Sequence, residues 1–315
     1  MKKDSEHIKK PKSKTSIKVA DYRTFLKVRL ASLVVFSASI TYVLAFHHDP
    51  NMVNKPPFDW LKLFWVVLGG FLVTGSSNGL NQIWERKSDK LMTRTADRPL
   101  PQNRMNTTEG VIIAAITGVA GIFILWYFLN AMTGILGLLS LVLYATVYTP
   151  MKKMSSWAVF VGAFPGAMPP MIGWVAFTGK LSPEAFSLFA LQFIWQFPHF
   201  WAIAWRLFED YKKGGFHLLP SAKGKDIKSA MQILLYTLFM IPISLLPTLK
   251  VFGSIGGVFS AVVFILAGLL MLYPAYKLFK TLEDKWATKL MFASFIYLPV
   301  VLIALLIDQL FILSQ

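Results

Sequence analysis

The chain has 315 residues, of which 55% are hydrophobic and only 15% charged, with a mean hydropathy of +0.53. That balance excludes an ordinary soluble domain and places most of the chain in a bilayer. The net charge of +16 suits anionic lipid headgroups and an anionic substrate without requiring nucleic acid, and the absence of cysteine excludes disulfides, thiolate metal sites and a cysteine nucleophile.

Residues 1–20 are rich in lysine, with serine, threonine and proline, and read as a disordered basic tail on the cytoplasmic side. They have no apolar run of the kind a cleaved signal peptide needs. Residues 21–315 read as a single membrane domain. Nine largely uncharged windows approach the roughly 20 residues that cross a bilayer as a helix. They are 25–46, 60–84, 110–128, 131–149, 157–178, 185–205, 230–249, 252–273 and 290–313. The expected architecture is an all-α integral membrane protein, nine transmembrane helices around a central cavity.

The basic residues give this arrangement a direction. Of the 32 Lys and Arg residues, 28 fall in the N-terminal segment or in the loops after the second, fourth, sixth and eighth windows. Only Lys55, Lys62, Lys180 and Lys250 fall on the other side. The positive-inside rule then places the N-terminus in the cytoplasm and the C-terminus outside.

The second window runs out into a basic loop through Asn81, Glu85 and Asp89. Their i, i+4, i+8 spacing puts all three on one helix face, with each step rising roughly 6 Å. Arg94 and Arg98 follow directly. Hard oxygens for a metal beside forked donors for phosphate are what a Mg²⁺–diphosphate requires. An acidic row at a membrane edge reads as functional, because its burial is costly.

The loop after the fourth window carries Lys152 and Lys153 behind Tyr148, either as phosphate ligands or as topology signals. Gly162 to Gly173, with Pro165, Pro169 and Pro170, reads as a broken helix lining a cavity. The sixth window repeats the logic of the second. His199 sits within the membrane span, and Arg206, Glu209 and Asp210 lie at the same edge as the first acidic row. A parallel duplication of helix pairs would let the two acidic clusters face one another across the cavity. On the residues alone, His199 reads as an interhelical hydrogen-bonder.

Four blocks carry a resemblance. They are Asn81 to Pro101, ending Met-x-Arg-Thr-x-x-Arg-Pro-Leu-Pro; Tyr148-Thr-Pro-Met-Lys-Lys153; Gly162 to Trp174; and Trp195-Gln-Phe-Pro-His-Phe-Trp201, which runs on through Tyr211 to Pro220. Together they resemble the UbiA superfamily of intramembrane prenyltransferases, and within it the branch that farnesylates heme. The resemblance implies transfer of a farnesyl group from farnesyl diphosphate to the 2-vinyl group of heme B. It also implies Mg²⁺ on Asn81, Glu85, Asp89 and Asp210, with Glu209 as a second-site candidate. Arg94, Arg98, Lys152 and Lys153 would hold the diphosphate, His199 the heme, and a heme A synthase would act downstream. Glu85 stands where the superfamily commonly has Asp, and the second site lacks the fuller Asp-x-x-x-Asp of quinone-making relatives. A quinone-precursor prenyltransferase is the alternative enzyme, and a transporter with internal repeats the non-enzyme.

Overall fold

The computed structural model describes residues 14–48 and 57–312, and among them there is no β-strand. The helices are α1 (Lys14–Phe25), α2 (Val28–His48), α3 (Trp60–Asp89), α4 (Thr107–Leu129), α5 (Ala131–Met151), α6 (Ala158–Thr178), α7 (Pro183–Arg206), the short α8 (Phe208–Lys213), α9 (Ile227–Ser244), α10 (Val258–Thr281) and α11 (Asp284–Ile307). Eight of them, α2 to α6 and α9 to α11, are long and apolar enough to cross a membrane. The 24-residue α7 is as long, but Gln192, Gln196 and His199 lower its hydropathy. Those polar groups face inward, and the outer faces carry exposed apolar side chains such as Val119, Leu270 and Ile296.

The helices close into a ring. α3 packs on α2 and α4, α6 on α2, α5 and α7, and α7 on α9 and α11, while α11 returns to α2. The first 13 residues of the expected tail lie outside the described residues. From Lys14 the chain is already helical. Lys18 Nζ and Tyr22 Oη reach Glu109 Oε1 at 2.6 and 2.7 Å and fix α1 to the start of α4.

The expected break at Gly162–Gly173 is not present, and α6 is continuous from Ala158 to Thr178. Proline lacks the N–H that would bond the carbonyl four residues back, so Pro169 and Pro170 free the carbonyls of Pro165 and Gly166. Neighbouring helices supply substitutes. Ser140 Oγ of α5 donates to Pro165 O at 3.3 Å, and Gln192 Nε2 of α7 donates to Gly166 O at 2.7 Å. Both carbonyls are met by protein donors, and the helix stays whole in an apolar setting. At Gly173 the backbones of α6 and α2 come so close that a Cβ would collide with Ala38 O and Thr41 Oγ1.

That contact is testable. Gly173→Ala must force backbone apart, and overpacking typically costs ~1–3 kcal/mol. The apparent Tm of the detergent-solubilised protein should fall by several degrees; an unchanged Tm would mean that α2 and α6 are not packed through this glycine.

Candidate active site

α3 delivers its acidic row to the end where the basic loop begins. Asn81, Glu85 and Asp89 are 1, 6 and 0% exposed. Buried carboxylates require partners, and each member of the row has a cation against it. Lys27 Nζ donates to Asn81 Oδ1 at 3.4 Å, Lys152 Nζ pairs with Glu85, and Arg98 Nη1 donates to Asp89 Oδ2 at 2.7 Å. Asp89 Oδ1 is buried without a hydrogen-bond partner. Asn81 Nδ2 also donates to Thr149 Oγ1 at 3.2 Å, which ties α3 to the end of α5.

The three cations come from three separate parts of the chain. Lys27 lies in the turn between α1 and α2, with a left-handed φ of +47°. Such a turn leaves carbonyls at and just past the end of α1 with spare acceptor capacity. α3 supplies them: Gln82 Nε2 donates to Thr24 O and Phe25 O at 3.1 and 2.7 Å, and Asn78 Nδ2 to Leu26 O at 3.4 Å. The turn is thereby strapped over the acidic row. Reduced hydration, with Arg98 and Lys152 nearby, pushes the Lys27 ammonium down to about 7. Lys152 ends α5 and lies 4.7 Å from the Tyr148 ring centroid, and its carbonyl accepts from His217 N at 3.1 Å. Arg98 belongs to the loop after α3, whose start is fixed by Thr95 Oγ1 donating to Asp89 O at 2.9 Å.

The second acidic cluster meets this loop but makes no second acidic site with the first. Asp210 Oδ1 accepts from Thr93 N at 2.7 Å and Oδ2 from Arg94 N at 3.3 Å, so its oxygens clamp backbone. Arg94 Nη2 donates to Tyr211 Oη at 3.3 Å. Glu209 is exposed, and Arg206 rests against Met291 Sδ at 3.7 Å. Lys153 stands at the rim, 6.0 Å from the Phe216 ring centroid. Among the described residues no group of three or more His, Asp or Glu side chains converges as a metal site. The row itself offers two carboxylates and an amide. Its orphaned Asp89 oxygen and hard-oxygen chemistry fit one divalent cation whose other ligands are waters or phosphate oxygens.

Below the row lies a cavity of about 260 Å³, lined by Asn78, Tyr144, Tyr148, Gln192, Gln196 and His199 among others. Gly162 leaves room for the Tyr148 ring, which a Cβ there would meet at 2.5 Å. His199 Nδ1 lies 2.8 Å from Ser294 Oγ, with Trp195 stacked on its ring at 4.5 Å. A second cavity of about 510 Å³ opens beside the row between Arg23, Lys27, Arg29, Arg94 and Arg98. Spacing alone exposed the acidic row. Lys27 had only its place before the first span to mark it, and Asn78 and Gln82 only their polarity within an apolar helix.

A family model described as the UbiA prenyltransferase family matches residues 31–296. The chain is 46% identical over 290 residues to a protoheme IX farnesyltransferase of Cytophaga hutchinsonii, covering 92% of this chain and 98% of that one. It is 44% identical over 293 residues to a protein of the same name from Flavobacterium psychrophilum, covering 92% and 94%. Among solved structures it resembles a digeranylgeranylglyceryl phosphate synthase, with TM-score 0.73 at 20% identity over 93% of this chain and 99% of that one. A UbiA homolog from Archaeoglobus fulgidus bound to GPP and Mg²⁺ matches with TM-score 0.65 at 13% identity, covering 90% and 99%. At those identities the structural matches show the fold.

The Asp210 clamp has a definite pH dependence. Partial loss of hydration opposes ionisation of Asp210, but the Thr93 and Arg94 amides outweigh it and hold the carboxyl below its usual range. A depressed carboxyl stabilises the fold fully above its unfolded value of about 3.9 and loses that contribution as pH falls through the lower folded value. Asp210→Ala should therefore cut the amide-exchange protection of Thr93 and Arg94 at neutral pH at least ~10-fold, the equivalent of one hydrogen bond of about 1.4 kcal/mol. Unchanged protection would free Asp210 from this role.

Proposed function

This chain belongs to the UbiA prenyltransferase family, and from that premise we propose that it transfers the farnesyl group of farnesyl diphosphate to the 2-vinyl group of heme B. One water is consumed, and the products are heme O, which would pass to a heme A synthase, pyrophosphate and a proton. The name shared by the two curated relatives, across nearly the whole chain, supports heme as the acceptor. The observation that carries the reading is the buried row of Asn81, Glu85 and Asp89, with a cation against each member, placed over an apolar cavity.

Asn81, Glu85 and Asp89 would hold Mg²⁺, which when bound neutralises diphosphate charge. The protein cations do the rest. Arg98 and Lys152 exchange Asp89 and Glu85 for phosphate oxygens, Lys27 joins them from the α1–α2 turn, and Arg94 and Lys153 stand at the rim. Leaving-group charge is thus met by groups already in place. Tyr144 and Tyr148 present aromatic faces to the cavity, where an allylic cation is shielded from water. Asp210 positions the loop carrying Arg94 and Arg98, and His199 faces the acceptor. We further place α7 in the membrane as a ninth spanning helix, with the basic end cytoplasmic and the C-terminus outside, in keeping with the positive-inside rule.

The test is product analysis by mass spectrometry, with purified protein, heme B, farnesyl diphosphate and Mg²⁺. Heme O should form with Mg²⁺ and not with EDTA. Pyrophosphate release only on addition of an aromatic acid would move the acceptor to a quinone precursor. Asp89→Ala should lower turnover at least ~10²-fold, as loss of a metal or charge-stabilising group typically does, while the protein still inserts. Near-normal turnover would remove Asp89 from the metal site.

A further inference from the structure

Addition of an allylic cation to a vinyl group creates a second cation, and the reaction ends only when a proton is shed. The proton needs an acceptor inside a largely apolar space. Of the residues lining the 260 Å³ cavity, only Tyr144, Tyr148 and His199 have ionisable side chains. Phenols titrate near 10 and are protonated at neutral pH, so His199 is the sole base on the cavity wall.

The hydrogen bonds around His199 decide which nitrogen is available. Ser294 Oγ lies 2.6 Å from Met291 O, which can only accept, so the single hydroxyl proton of Ser294 points there. Ser294 Oγ must then accept from His199 Nδ1–H at 2.8 Å. The proton on Nδ1 leaves the lone pair on Nε2. Trp195 stacks on the ring at 4.5 Å, and Phe295 meets it edge-on at 5.1 Å, so its orientation is fixed. The same helix face carries Gln196 and Gln192, whose buried Oε1 has no partner. A water entering the cavity meets its hydrogen-bond acceptors on this wall.

We propose that His199 Nε2 is the proton acceptor of prenyl addition, an inference that rests on the heme-farnesylating reading above. The bond from farnesyl C1 to diphosphate oxygen breaks, and the diphosphate leaves with the electron pair. The vinyl π pair forms the new C–C bond to C1, which leaves positive charge on the vinyl carbon attached to the porphyrin. Water adds to that carbon through an oxygen lone pair, and its surplus proton passes to Nε2 to give imidazolium. One water is consumed, and the proton returns to solvent when product leaves.

The experiment compares the full-length wild type, His199→Ala, His199→Gln and Ser294→Ala on heme B and on iron-free protoporphyrin IX, each with farnesyl diphosphate and Mg²⁺. A general base contributes roughly 10²–10⁴-fold, so kcat for heme B should fall at least ~10²-fold in both His199 variants. KM for farnesyl diphosphate and the Soret band of bound heme should stay unchanged. Imidazole in the buffer should restore part of the His199→Ala turnover, and Ser294→Ala should lower kcat less. If wild type also prenylates the iron-free porphyrin, the same fall should appear there. Unchanged kcat at saturating heme, with weaker heme binding and a shifted Soret band, would make His199 an iron ligand and overturn the proposal. Equal loss of farnesyl diphosphate binding without imidazole rescue would make it structural and overturn it too. Wild type that forms no heme O would instead sink the heme reading itself.

Discussion

A carboxylate removed from water must be paired, and the end of α3 buries two of them four residues apart. Glu85 and Asp89 are each paired with one cation, Lys152 and Arg98, which reach them from the end of α5 and from the loop after α3. Asn81 adds the Lys27 contact from the α1–α2 turn. Three remote parts of the chain are thus drawn onto one helix face. The supporting contacts follow from the same need: Thr149 on Asn81, Gln82 and Asn78 on the α1 carbonyls, and Asp210 on the loop amides.

Buried ion pairs add little net stability, because desolvation offsets most of the attraction. Their presence makes better sense as readiness for a ligand. A divalent cation can replace the ammonium and guanidinium on the acids, and a diphosphate can replace the acids on the cations. The exchange keeps every buried charge paired before and after. The cavity below serves the other half of the chemistry, with an aromatic and aliphatic wall broken on one side by the polar face of α7.

The acidic row was legible because helical periodicity alone puts Asn81, Glu85 and Asp89 together. The eight long apolar segments were legible because hydropathy reports lipid contact, whereas in α7 the inward-facing Gln192, Gln196 and His199 lower that signal. Asp210 was not legible in its observed role. A carboxylate at a helix end looks the same in sequence whether it meets a metal or the backbone amides of a loop 117 residues away. The prolines of α6 pointed to a broken helix because their substitute donors, Ser140 and Gln192, lie 25 and 26 residues from the carbonyls they satisfy. Lys27 escaped notice because its placement depends on a left-handed turn and on side chains of α3 that no local pattern connects to it. In each case the missing information is a long-range contact.

The most direct test of the partner exchange is an experimental structure with Mg²⁺ and a non-hydrolysable farnesyl thiodiphosphate. The account predicts a metal ion on Asn81, Glu85 and Asp89, with Lys152 and Arg98 turned away from their acids onto phosphate oxygens. A diphosphate bound elsewhere, with the Lys152–Glu85 and Arg98–Asp89 pairs intact, would contradict it.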